Sequence, residues 1–244
     1  MSDEGRIIKP IAHIRTDLTD KFGIPRQSGR VPSLEGVIVF EREFRSPDAL
    51  REIETFSHLW LIFDFSESHR DKWSPMVRPP RLGGNRRVGV FASRSPFRPN
   101  SLGLSCVKLC RVERGTKDGD VLRVAGVDLL DRTPIYDIKP YIPYADCVPD
   151  AVGGYADAEK SHSLEVYFPD ELLREIPEVK REALISCIAD DPRPSYQEDP
   201  EREYTMVYGE HEVDFHISGY TATVYRVRKS SDNFGENQPL KDGI

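Results

Sequence analysis

A mainly β protein is what this sequence predicts: an N-terminal closed or nearly closed barrel, followed by a small α+β unit. Short apolar runs rich in branched and aromatic residues recur up to about residue 140, joined by turns rich in Pro and Gly, as in barrels built from many short strands. Helical periodicity is nearly absent before residue 160, whereas a doubly wound fold needs a helix between successive strands. From Ala145 to Ser163 the composition turns small and polar (ADCVPDAVGGYADAEKSHS), and a helical pattern follows. These boundaries give a barrel unit over 1–150, an α+β unit over 160–229 and a flexible tail over 230–244.

Ile7 to Ile14 (IIKPIAHI) alternates loosely and reads as a first strand with Pro10 at an edge or bend. Asp17 to Arg30 ends in the turn-like GIPRQSGR. Gly36 to Phe40 (GVIVF) is a short strand, and Ser46-Pro47-Asp48 opens a helix through Leu50 to Ile53, with a cap residue and a proline in the first turn. Phe56 to Phe65 (FSHLWLIFDF) reads as a buried strand. Leu104 to Val112, Val121 to Leu130 and Pro134 to Ile138 are the next strands. In the second unit Leu164 to Phe168 is a strand, and Asp170 to Ala189 carries helical spacing that Pro177 bends or splits. Asp190 to Tyr196 (DDPRPSY) is a rigid turn. Tyr204 to Tyr208, Val213 to Ile217 and Tyr220 to Val227 close the unit as alternating strands.

At 244 residues, 38% hydrophobic and 31% charged, the chain has the composition of a globular protein with a real core. No run reaches the length of a transmembrane helix. The charged start MSDEGRIIKP lacks the apolar segment of a signal peptide, so a cytoplasmic protein is expected. Four scattered cysteines make no disulfide framework. Cys106 and Cys110 lie in the strand-like LSCVKLC without a matching Cys/His pair; buried free thiols are expected there, and no metal.

Charge is distributed unevenly. From Lys72 to Arg111 there are nine basic residues and no acidic one; removing the window's +9 from the chain's −7 leaves −16 elsewhere. Six of the nine are arginines between Arg78 and Arg98: Arg78, Arg81, Arg86, Arg87, Arg94 and Arg98. Arginine forks suit phosphates, carboxylates and base edges, and a positive patch on an acidic chain implies a polyanionic partner met at one place. Prolines and glycines punctuate the window. Val88, Val90 and Phe91 embed the arginines among core-forming residues, which distinguishes the window from a solvated basic loop.

The chemistry-bearing motifs are few: there is no Walker loop, GxGxxG, GxSxG or HExxH. Pro25-Arg26-Gln27, between Gly23 and Gly29, has the make-up of a ligand-gripping loop. Asp128-Leu129-Leu130-Asp131-Arg132-Thr133-Pro134 ends a strand in two carboxylates, a hydroxyl and a fixed turn, which reads either as a self-satisfied turn or as a ligand-holding loop. Asp137 and Lys139 follow as an acid and a base on one element, equally compatible with a surface ion pair. His58, within apolar FSHLW, reads as structural before it reads as a base.

PRQ at 25–27, FSHLW at 56–60, RPPRLGGN at 78–85, GVFASRSPFRPNSLG at 89–103, DLLDRTPIYDIKPY at 128–141 and DPRPSY at 191–196 together resemble the TrmO (YaeB, TsaA-like) family. The likeness runs from about residue 6 to about residue 228. It implies a single-sheeted β-barrel methyltransferase that uses S-adenosylmethionine, works as a homodimer, and methylates the exocyclic nitrogen of N6-threonylcarbamoyladenosine beside the anticodon of tRNA. It also implies a cofactor site of Pro25, Arg26, Gln27, Phe65, Ser66, Arg94, Leu104, Asp131, Arg132, Thr133 and Pro134, with arginine at 132 where the family usually has glycine. Arg78, Arg81, Arg86, Arg87 and Arg98, with Asn85 and Asn100, would meet the tRNA. Loss of a proton from the acceptor nitrogen calls for a base, for which the sequence offers Asp131, Asp137 and His58. A barrel that binds RNA without methyl transfer remains the alternative.

Overall fold

The computed structural model describes residues 7–79, 86–158, 163–193, 199 and 201–230. Six strands form the barrel: β1 (Ala12–Thr16), β2 (Glu35–Phe40), β3 (His58–Asp64), β6 (Leu102–Thr116), β7 (Gly119–Ala125) and β8 (Pro134–Pro140). They close in the order β1-β2-β7-β6-β3-β8, every pair antiparallel. A two-residue pair, β4 (Met76–Val77) with β5 (Val88–Gly89), lies between β3 and β6 in the chain.

The period-two pattern of the sequence sets the inside of the barrel. Leu59, Leu61 and Phe63 of β3 are buried, as are Ser105, Val107 and Leu109 of β6 and Leu122 and Val124 of β7. Full burial of each aliphatic side chain contributes about 1.5–3 kcal/mol. The same alternation puts Leu104, Cys106, Lys108 and Cys110 on the outer face of β6. Cys110 is therefore exposed and Cys106 half-buried, so the buried pair expected from LSCVKLC is not found; both are free thiols.

Two other expectations are corrected. The first strand begins at Ala12, beyond Pro10, rather than at Ile7. Ser46 to Ile53 is not a helix but two 3₁₀ turns, Pro47–Leu50 and Ile53–Thr55, separated by Glu52 at φ 67°, and the Ser46 side chain makes no cap hydrogen bond. So short a segment gains too few hydrogen bonds to offset helix nucleation.

The second sheet has the order β10-β11-β12-β9, from β9 (Glu165–Tyr167), β10 (Glu203–Tyr208), β11 (His211–Ser218) and β12 (Thr221–Lys229), with β9 parallel to β12. After the short α1 (Pro143–Asp146) and α2 (Tyr155–Ala158), the predicted 170–189 helix is split as Pro177 requires, into α3 (Asp170–Leu173) and α4 (Glu178–Ala189).

A loop of the barrel docks on this sheet. Phe22 stacks on Tyr204 and Phe215 at centroid separations of 5.8 and 6.3 Å. Lys180 of α4 reaches Asp17 at 2.7 Å, and Arg30 reaches Asp190 through Nε at 2.5 Å. One hydrophobic core thus runs from Ala12 to Val224, through both sheets. The tail after Ser230 lies outside the described residues.

Candidate active site

A cleft of about 1690 Å³ opens where the barrel meets the α+β unit. Its walls are the loop of Lys21 to Gln27, the end of β3 with Phe65, the start of β6, the loop of Phe91 to Arg98, and the C-terminal end of α4 with the turn after it.

The Pro25–Gln27 loop is held from three sides. Gly23, at φ 91°, turns the chain where Met206 leaves no room for a side chain. Arg26 donates through Nη2 to the carbonyl of Arg193, tying the loop to the turn after α4. Gln27 donates to the Arg26 carbonyl at 2.5 Å, and its Oε1 accepts from Nη1 of Arg94. Arg26, Gln27 and Arg94, distant in sequence, are thereby brought together. Phe63 and Phe65, edge to face at 5.1 Å, and exposed Leu104 supply apolar wall beside them.

Asp128 stands in the same wall, in the loop just after β7. Its Oδ1 accepts the hydroxyl of Ser105 at 2.6 Å, and the Ser28 amide also serves it. Burial pushes its carboxyl up to about 6, against the opposing pull of those hydrogen bonds and of the Arg94 charge. The other cleft carboxylates are engaged: Asp190 with Arg30, and Asp191 with Arg193 at 2.8 Å. Among the described residues Asp128 has no ion-pair partner within 4.0 Å. Cys187, also on the wall, is inert as a nucleophile because burial pushes its thiol to about 12.

The lip is basic and aromatic. Lys72, Arg70, Arg78 and Arg87 line it, with Arg70 3.6 Å above the Phe97 ring. Trp73 and Phe91 face each other at 6.3 Å, 52% and 75% exposed. Phe91 is thus a surface aromatic, where the sequence suggested core; Val90 beside it is buried. Arg98 lines the cleft yet donates to the carbonyls of Ser93 and Ser95, which shapes its own loop. Arg86 is exposed outside the lining, and Arg81 and Asn85 lie outside the described residues.

The remaining expected residues do not line this cleft. Ser66 begins a 3₁₀ turn after Phe65. The Asp131–Pro134 turn sits against β1: Asp131 Oδ1 accepts the Thr16 amide at 2.9 Å, and Arg132 donates its amide to Ile14 at 2.7 Å. Arg132 adopts φ 61°, the left-handed region that favours glycine, with its side chain largely in solvent. Asp137 pairs with Lys139 at 3.0 Å; His58 meets Ser57 at 2.9 Å and the edge of Tyr141. Sequence alone does not distinguish Trp73 or Asp128 as individual site residues. The signal for Asp128 is its place as the first of two carboxylates in the strand-ending DLLDRTP, which reads equally as a self-satisfied turn.

The family model of the tRNA-methyltransferase O N-terminal domain matches residues 13–147, and that of the TrmO C-terminal domain matches 161–230. A tRNA (adenine(37)-N6)-methyltransferase of Escherichia coli K12 is 39% identical over 213 residues, which cover 85% of this chain and 89% of that one. A protein of the same name from Eikenella corrodens is 48% identical over 174 residues, covering 71% and 97%. A Pseudomonas aeruginosa protein, named for S-adenosylmethionine-dependent methyl transfer, is 41% identical over 217 residues, covering 86% and 91%. The crystal structure of TrmO from Pseudomonas aeruginosa superposes with a TM-score of 0.75 at 33% identity, covering 94% of this chain and 99% of that one.

Proposed function

The chain belongs to the TrmO family, and from that premise we propose how its cleft serves S-adenosylmethionine-dependent methylation of the N6 nitrogen of adenine 37 in tRNA. The acceptor in this reading is N6-threonylcarbamoyladenosine. The carrying observation is that Arg26, Gln27 and Arg94 meet beside Phe63, Phe65 and Leu104, at the foot of a basic and aromatic lip.

These residues fit the cofactor chemically. Aromatic and aliphatic wall suits an adenine ring, and the guanidinium groups suit a carboxylate. When bound, S-adenosylmethionine supplies an electrophilic methyl group on a sulfonium. The protein's part is to hold the acceptor nitrogen in line with that methyl, since positioning can supply much of the rate. Arg78 and Arg87 face phosphates, and Trp73 and Phe91 offer stacking surfaces to a base unstacked from the loop, the usual target of sequence-specific RNA recognition.

A homodimer and a cofactor role for the Asp131–Pro134 turn, which does not line the cleft among the described residues, belong to this reading. The division into units over 1–150 and 160–229 and a cytoplasmic location also belong to it; no helix among the described residues is long and apolar enough to cross a membrane. The test is mass spectrometry of tRNA nucleosides after incubation with labelled S-adenosylmethionine. One added methyl on threonylcarbamoyladenosine, absent from tRNA lacking that modification, is the expected result. No methylation despite binding of both ligands would favour an RNA-binding barrel.

A further inference from the structure

Methylating an amide-like N–H releases a proton. The N–H bond breaks as the N–C bond forms, the C–S electron pair returns to sulfur to leave a neutral thioether, and the proton needs an acceptor within reach of the nitrogen. Among the described residues three carboxylates line the cleft. Asp190 is held by Arg30 and Asp191 by Arg193, so their oxygens are turned to those guanidinium groups. Asp131, Asp137 and His58 do not line the cleft.

Asp128 differs from all of these. It lies on the wall where Gln27, Arg94 and Leu104 meet, and the hydroxyl of Ser105 fixes one carboxylate oxygen at 2.6 Å. Ser105 is itself buried at 2% exposure, anchored on the strand whose neighbouring residues Gly103 and Leu104 also face the cleft. Resting on the methyltransferase reading above, we propose that Asp128 is the proton acceptor of the reaction, oriented by Ser105, with its second oxygen taking the proton from the acceptor nitrogen.

The groups facing Asp128 are Ser105 from β6, the Ser28 amide from the loop after Gln27, and Arg94 from the 91–98 loop, whose positive charge is the one that favours ionisation. With its carboxyl at about 6, Asp128 is ionised at neutral pH and is a stronger base than a surface aspartate.

The experiment compares wild type, Asp128→Asn and Asp128→Glu in single-turnover methylation of tRNA carrying threonylcarbamoyladenosine, across pH. Calorimetric binding of S-adenosylmethionine and S-adenosylhomocysteine, and carbon-detected NMR titration of the Asp128 carboxyl in the free protein, are measured alongside. For Asp128→Asn the rate should fall roughly 100-fold or more while both ligands bind within about twofold of wild type. Asp128→Glu should recover part of the rate. The wild-type rate should rise to a plateau above about pH 6, matching the NMR midpoint, and that inflection should vanish in Asp128→Asn. A wild-type rate in Asp128→Asn overturns the proposal. So does a loss of affinity for S-adenosylmethionine but not for the sulfonium-free product, which would make Asp128 a charge partner of the ligand. A wild-type chain that methylates no tRNA fails earlier, at the reading of function, and takes the proposal with it.

Discussion

The Ser105 hydroxyl donates to Asp128 at 2.6 Å across 23 positions of sequence, joining the start of β6 to the loop after β7. That contact is too little to offset the burial of the carboxylate, so ionising Asp128 costs the fold stability. Its folded pKa, about 6, lies above its unfolded value near 3.8. Between these values the native state binds the extra proton, and the contribution of Asp128 to stability falls as pH rises through the window, then levels off. In Asp128→Asn that contribution should disappear, making the variant more stable than wild type at pH 7 by of order 1–3 kcal/mol. Urea unfolding at pH 4 and pH 7 measures both; parallel curves for the two proteins would show that Asp128 carries no such penalty.

Arg30 and Asp190 join the barrel to the end of α4, in side chains 29% and 9% exposed. Asp190→Ala removes this partly buried, charge-assisted hydrogen bond, which should cost about 1–3 kcal/mol and lower the Tm by roughly 2–10 °C. Because Asp190 also walls the cleft, affinity for S-adenosylmethionine should weaken in the same variant. A double-mutant cycle with Arg30→Met separates the pair from the other contacts of Arg30; a coupling near zero would remove the clamp.

Gly103 pairs with Phe63 across β3 and β6, and a Cβ on Gly103 would lie 2.2 Å from the Phe63 ring. That ring is 4% exposed and packed edge to face on Phe65, so it cannot swing without disturbing the cleft wall. Gly103→Ala should cost about 1–3 kcal/mol by overpacking and raise the Kd for S-adenosylmethionine. Unchanged thermal denaturation and unchanged calorimetry would show that the ring moves freely.

The parts of this molecule legible in its sequence are those governed by local pattern. Runs such as HLWLIFD and LSCVKLC specify strands, and Pro177 marks the break between α3 and α4. Where meaning arises from contact between distant segments, the sequence falls silent. Asp128 looks like any turn aspartate until Ser105 and Arg94 are placed beside it. Phe91 looks like core until β5 leaves it at the lip, and Cys110 until the register of β6 turns it outward. Arg26, Gln27 and Arg94 were implied by likeness to a family; only the fold shows that Gln27 bridges the two arginines.

That bridge makes Arg94 a specific test of the ligand site. Its guanidinium orders Gln27 and adds positive charge beside Asp128. Arg94→Ala should raise the Kd for S-adenosylmethionine about tenfold or more while far-UV circular dichroism stays unchanged. Arg94→Lys should restore little, because an ammonium lacks the planar fork. Wild-type affinity in Arg94→Ala would detach the Pro25–Gln27 loop from cofactor binding.

Cations and aromatic rings at the lip should contribute to tRNA binding in ways that salt can distinguish. Phosphate pairing by Arg86 and Arg87 releases condensed counterions, so reversing both to Glu should weaken binding strongly at low salt. The plot of log Kd against log salt should then become shallower, by about 0.7–0.9 for each phosphate no longer neutralised. Trp73 and Phe91, 52% and 75% exposed, offer stacking faces instead. Trp73→Ala or Phe91→Ala should cost about 1–3 kcal/mol at every salt concentration and leave the slope unchanged, since no charge is removed. None of these variants should change S-adenosylmethionine affinity. Fluorescence anisotropy with labelled anticodon stem-loop between low and physiological salt provides the comparison. If the tryptophan and arginine variants shift the slope alike, the two groups do not act separately on phosphate and base, and the lip is a general electrostatic surface.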